Sequence, residues 1–86
     1  MRLDRFLSVA RLFKSRSLAA EAIASSMVFI DGMPAKPAKE VMAGHIITID
    51  TPRIYKKIKL LSLPPKNMSK GEASSLYDIL GERIKD

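Results

Sequence analysis

Residues 1–16 read MRLDRFLSVARLFKSR, and residues 17–33 continue SLAAEAIASSMVFIDGM. Leu3, Phe6, Leu7 and Ala10 fall at the i, i+3, i+4, i+7 spacing of an amphipathic helix. Arg2, Arg5, Arg11, Lys14 and Arg16 make the same segment cationic, with Asp4 its one acid. Asp4 lies in the first turn, where the helix dipole favours a carboxylate, and its spacing offers Ser8 and Arg11 as neighbours. Phe13-Lys14-Ser15 predicts a break. Ser15 then caps a second helix from about Arg16 to Ala24, with Ser17 as the competing cap. Leu18, Ala22 and Ile23 form its apolar side, and its alanines favour helix and permit close packing. Met27 to Ile30 is a short β-type run, and Asp31-Gly32 supplies the positive-φ pair of a type I′ hairpin turn.

Beyond the hairpin, Met33-Pro34-Ala35 reads as a returning strand that Pro34 keeps short or at an edge. Pro37 to Val41 reads as a loop beside Lys36, carrying Lys39 and Glu40, and Ala43-Gly44 as a turn. His45 to Ile49, rich in β-branched residues, is the strongest strand signal. Ile54 to Leu63 is a further β-type segment, ended by Pro64-Pro65. Ser69-Lys70-Gly71-Glu72 has capping-box spacing and predicts a final helix with Ala73, Leu76, Tyr77 and Leu80 on one side.

Eighty-six residues hold one small core. A hydrophobic content of 47% places the chain outside the disordered class. The formal net charge of +6 favours a polyanionic partner: RNA, DNA or an anionic membrane surface. The basic helix is short and lightly apolar for membrane anchoring, and no apolar run approaches the roughly 20 residues of a bilayer span. The opening residues carry no apolar signal-peptide centre. With no cysteine, disulfides, zinc–thiolate sites and thiol nucleophiles are excluded.

Catalysis finds no support in the pattern. The carboxylates are scattered, no phosphate-binding glycine run is present, and no metal or cofactor is implied. His45, the sole histidine, reads as an exposed turn residue with no assigned role. The phenylalanines Phe6, Phe13 and Phe29 sit at apolar positions and read as core, which argues against an aromatic stacking platform. The arginine-bearing side is the candidate site, because planar guanidinium forks clamp phosphate oxygens; a solvated helix face is the alternative. Two roles fit Asp4: complementing its helix, and orienting a neighbouring arginine. Two also fit Lys56, Lys57 and Lys59: blunting an edge strand and extending an RNA footprint.

Arg2-Leu3-Asp4-Arg5-Phe6-Leu7, Lys14-Ser15-Arg16-Ser17-Leu18-Ala19 and Val28-Phe29-Ile30-Asp31-Gly32 together resemble the RNA-binding S4 domain. Ala35-Lys36-Pro37-Ala38-Lys39-Glu40-Val41 and Gly44-His45-Ile46-Ile47 continue the resemblance, which covers about residues 1–50. It implies an α+β, αL-type fold with two N-terminal helices packed on a small twisted sheet. Residues 1–63 would form the RNA-binding domain, and 64–86 a Pro-rich linker and short C-terminal helix. The tail from Ser69 to Tyr77 resembles the stand-alone members, the RqcP (YabO) and heat-shock-protein-15 group.

That resemblance implies a cytoplasmic, ribosome-associated factor of bacterial ribosome quality control, a monomer when free and not an enzyme. It would bind 23S rRNA and peptidyl-tRNA on obstructed large subunits while an RqcH-type factor adds a C-terminal alanine tail. Carried over by position, Arg2 and Arg16 would make the principal RNA contacts. Asp4, Arg5, Arg11, Lys14 and Ser15 would support that surface, and Lys36 and Lys39 extend it. The alternative is a general S4-type RNA binder in ribosome assembly or the heat-shock response. The chain departs from the family pattern at Ser26-Met27, where glycine usually precedes the first strand. It departs again at Asp31-Gly32, in place of Asn-Gly, and at Gly44-His45, in place of Gly-Asp.

Overall fold

The computed structural model describes residues 1–64 and 76–85. Helix α1 covers Leu3–Val9 and helix α2 covers Arg16–Ala24. The strands are β1 (Val28–Ile30), β2 (Met33–Pro34), β3 (Ile46–Asp50), β4 (Ile54–Leu60) and β5 (Tyr77–Ile84). All pairings are antiparallel, and the sheet order is β2-β1-β3-β4-β5. The protein is α+β, with two helices on one face of a five-stranded sheet.

The chain turns sharply after α1. The Leu12 and Phe13 N–H groups both donate to the Leu7 carbonyl, and Arg11 takes a left-handed φ of 63°. Ser15 resolves the choice of cap: it is extended, and its hydroxyl accepts from the Leu18 N–H at 3.1 Å. At the far end of α2, the Ser26 N–H donates to Ile23 O and the Met27 N–H to Ala22 O, at 3.1 and 3.0 Å. This paired closure demands a left-handed residue, and Ser26 supplies it at φ 61°. Ser26 therefore makes the turn that glycine makes without strain, at a conformational cost. Asp31 (φ 50°) and Gly32 (φ 84°) form the hairpin turn read from the sequence.

Leu3, Phe6 and Leu7 of α1 and Ala19, Ala22 and Ile23 of α2 are buried against Val28, Ile30, Ile47, Ile49, Ile58 and Leu60 of the sheet. Removing such side chains from water contributes roughly 1.5–3 kcal/mol for each large one. Leu18, expected on the core side of α2, is 47% exposed, because the buried face runs through Ala19 instead. Among the phenylalanines only Phe6 is in the core. Phe13 packs half-buried against it, and Phe29 lies on the opposite face of β1 from Val28 and Ile30.

Two further expectations are corrected. Tyr77–Ile84 is a strand, not the continuation of a C-terminal helix. Gly81 breaks helical propensity inside that segment, and β4 offers a full ladder, paired from Leu60↔Tyr77 to Ile54↔Ile84. A bulge between Lys57 and Ile58 in this register leaves Leu80 without a partner. Leu76 is buried, but Ile79 and Leu80 are each 52% exposed rather than core. The capping-box residues Ser69 to Glu72, and Ala73, lie outside the described residues. The second correction concerns Lys56, Lys57 and Lys59. Strand β4 sits between β3 and β5, so these lysines do not blunt a sheet edge.

Candidate nucleic-acid interface

The start of α1 is fixed by the loop that follows the hairpin. Arg2 and Glu40 form an isolated antiparallel bridge. The Leu3 N–H donates to Lys39 O at 2.8 Å, the Val41 N–H to Met1 O at 3.0 Å, and the Asp4 N–H to Pro37 O at 3.2 Å. Helical N–H groups left open at an N-terminus are thereby satisfied by a distant loop. The same bonds bring Lys36 and Lys39, both exposed, beside the first turn of α1.

Asp4 is the centre of the arrangement. It is 3% exposed, the one buried polar or charged residue among those described. Its Oδ1 accepts from the Arg5 N–H at 2.7 Å and lies 3.4 Å from the Arg16 Nε. Its Oδ2 accepts from an Arg2 terminal nitrogen at 3.1 Å. Asp4 therefore accepts within the first turn of α1 and pairs with two arginines. Ser8 and Arg11, its neighbours by helical spacing, are not its partners. The arginine side chains stay about half exposed, at 47% for Arg2 and 52% for Arg16. Each guanidinium gives one nitrogen to the buried carboxylate and keeps its remaining donors for a ligand. A buried carboxylate with two cations beside it satisfies its charge and restricts where those cations point.

The other residues read from the sequence take varied places. Arg5, Arg11 and Lys14 are exposed and form no ion pair among the described residues. Arg11 lies in the α1–α2 turn, where its left-handed backbone follows from the reversal of the chain. Ser15 serves as the α2 cap, which sets where Arg16 begins its helix. Lys56 pairs with Glu82 at 2.7 Å, and Lys85 pairs with Asp50. Lys57 and Lys59 are exposed on the sheet face away from the helices.

Sequence reasoning missed the Arg2–Glu40 bridge, a pairing between distant segments that carries no local signal. It also left His45 without a role. The ring is half-buried, and its Nδ1 accepts from the Met42 N–H at 3.1 Å, closing the turn before β3. Among the described residues no group of acidic or histidine side chains is placed to hold a metal, and no helix is long and apolar enough to cross a membrane.

Comparisons with known proteins show what the chain is similar to. The chain is 34% identical over 88 residues to the RQC P-site tRNA stabilizing factor of Listeria innocua, covering 100% of this chain and 92% of that one. It is 35% identical over 82 residues to the Bacillus subtilis protein of the same name, covering 95% and 94%. A heat shock protein 15 homolog from Aeromonas salmonicida is 33% identical across 91% of this chain, which spans 59% of that protein. The solved trimeric structure of Vibrio cholerae heat shock protein 15 superposes with a TM-score of 0.83 at 34% identity, covering 92% of this chain and 80% of that one. Residues 1–47, which contain both helices, the hairpin and the Asp4-centred arginine pair, match the S4 domain, and the chain belongs to that family.

Proposed function

We propose that this protein is a non-catalytic RNA-binding factor of bacterial ribosome-associated quality control. In this reading it binds 23S rRNA and peptidyl-tRNA on an obstructed large subunit, in the cytoplasm. It stabilises that tRNA while an RqcH-type factor extends the stalled peptide with alanine. The observation that carries the reading is Asp4, buried between Arg2 and Arg16 at the starts of two helices. A carboxylate that serves both guanidiniums fixes their separation, as recognition of neighbouring phosphates on a rigid RNA requires. Arg5, Arg11, Lys14 and the Ser15-capped helix start support that surface, and Lys36 and Lys39 extend it. Support for the quality-control role comes from relatives named RQC P-site tRNA stabilizing factor that align along nearly their whole length.

Sedimentation of lysate through a sucrose gradient tests the reading. The protein should travel with large subunits carrying peptidyl-tRNA, and Arg2→Ala with Arg16→Ala should release it while the domain stays folded. Migration with small subunits, or no ribosome association at low salt, contradicts it.

A further inference from the structure

A groove of about 440 Å³ opens between the β1–β2 hairpin and the chain that leads from it into β3. Met33, Pro34 and Ala35 line it with apolar surface, and Lys36, Lys39 and His45 supply its cationic and polar groups. Met33 is 68% exposed, which leaves a large thioether side chain facing water. Neither Lys36 nor Lys39 forms an ion pair among the described residues. Because the His45 Nδ1 accepts from the Met42 N–H, its other ring nitrogen is left as the one that can donate to a ligand. Asp31 also lines the groove; one of its carboxylate oxygens accepts from the Ile46 N–H at 3.0 Å. Its negative charge disfavours a phosphate beside it and leaves Lys36 and Lys39 as the phosphate-binding groups of the groove.

The groove adjoins the proposed RNA face. The backbone of Lys39 is hydrogen-bonded to Leu3, and that of Pro37 to Asp4, so the lysines of the groove stand next to the Arg2–Asp4–Arg16 cluster. A polyanion held on the arginines therefore passes the mouth of the groove. Bases stacked within a duplex cannot enter it, whereas an unpaired base can leave the stack and lie against apolar surface.

We propose that the groove holds one unstacked nucleotide of the RNA bound at the arginine pair, an inference that rests on the function proposed above. The base lies against Met33 and Pro34, and its phosphate is held by Lys36 and Lys39. The protein would thus distinguish a helix with an unpaired nucleotide from a continuous helix, a discrimination that the arginines alone do not provide.

The test uses two RNA stem-loops that differ by one bulged adenosine, each titrated with the full chain by fluorescence anisotropy. The bulged stem should bind about tenfold tighter, a difference of about 1.4 kcal/mol. Met33→Thr should abolish that preference and leave affinity for the continuous stem unchanged, since Met33 is exposed and lies outside the arginine cluster. Equal affinity of the native protein for both stems overturns the inference, as does a preference that survives Met33→Thr. Arg2→Ala with Arg16→Ala separates the two readings. If this variant loses the continuous stem while the native protein shows no bulge preference, the groove assignment alone fails. If it binds both stems as the native protein does, the RNA face is misplaced. If the native protein binds neither stem, both readings fall.

Discussion

The Asp4 Oδ1 lies 3.4 Å from the Arg16 Nε, so the first turn of α1 and the first residue of α2 are tied through one buried carboxylate. Arg2 reaches the other oxygen of the same group at 3.1 Å. Because Asp4 also accepts from the Arg5 N–H, its position is set by backbone as well as by charge. The two guanidiniums therefore inherit the rigidity of the helix starts. An exposed ion pair alone contributes about 0–1 kcal/mol and would not impose such order.

Arg2→Ala with Arg16→Ala should weaken RNA binding and also change its dependence on salt. Two fewer phosphate contacts lower the slope of log affinity against log salt by about two. Titrations between about 50 and 200 mM salt read this change. A slope equal to that of the native protein would mean that neither arginine meets phosphate.

Ser15→Ala removes the acceptor for the Leu18 N–H and should cost about 1 kcal/mol in urea unfolding. Ser15→Asp restores an acceptor at the same position and should recover most of that loss. A Ser15→Ala midpoint equal to that of the native protein would contradict the capping role.

Ser26→Gly should stabilise the domain by about 1 kcal/mol, because Ser26 holds φ at 61° where glycine is unstrained. Glycine's larger freedom in the unfolded chain offsets part of the gain. A lower thermal midpoint would show that the serine hydroxyl matters more than the backbone strain.

Deleting residues 76–86 removes β5 and turns β4 into an open edge. That edge would present unpaired backbone groups over the length of Ile54–Leu60, and Leu76 would be lost from the core. Light scattering should report aggregation that the full chain does not show. A soluble, cooperatively unfolding fragment would mean that the first four strands suffice.

These effects follow signals of unequal range. The helix pair, the Ser15 cap and the Asp31-Gly32 hairpin were legible because periodicity, capping and turn chemistry act within a few residues. The strand at Tyr77–Ile84 was not, because Leu76, Tyr77 and Leu80 also fit a helical face and only pairing with β4 decides between them. The same pairing places Lys56, Lys57 and Lys59 inside the sheet rather than at its edge. At the candidate site, the basic residues were visible as charges. What joins Arg2 to Arg16 was not, since it depends on two helices meeting at Asp4 and on the Lys39 loop closing over the first turn.

Asp4→Asn sets two forces against each other. The substitution raises the formal net charge by one, which by itself strengthens attraction to RNA. It keeps an oxygen able to accept from the Arg5 N–H, but it releases the charge that holds Arg2 and Arg16 in place. If the buried carboxylate positions the arginines for RNA, affinity for large ribosomal subunits should fall about tenfold at constant salt, with circular dichroism unchanged, the scale of one lost charge-assisted contact. Equal or tighter binding after Asp4→Asn would contradict the account.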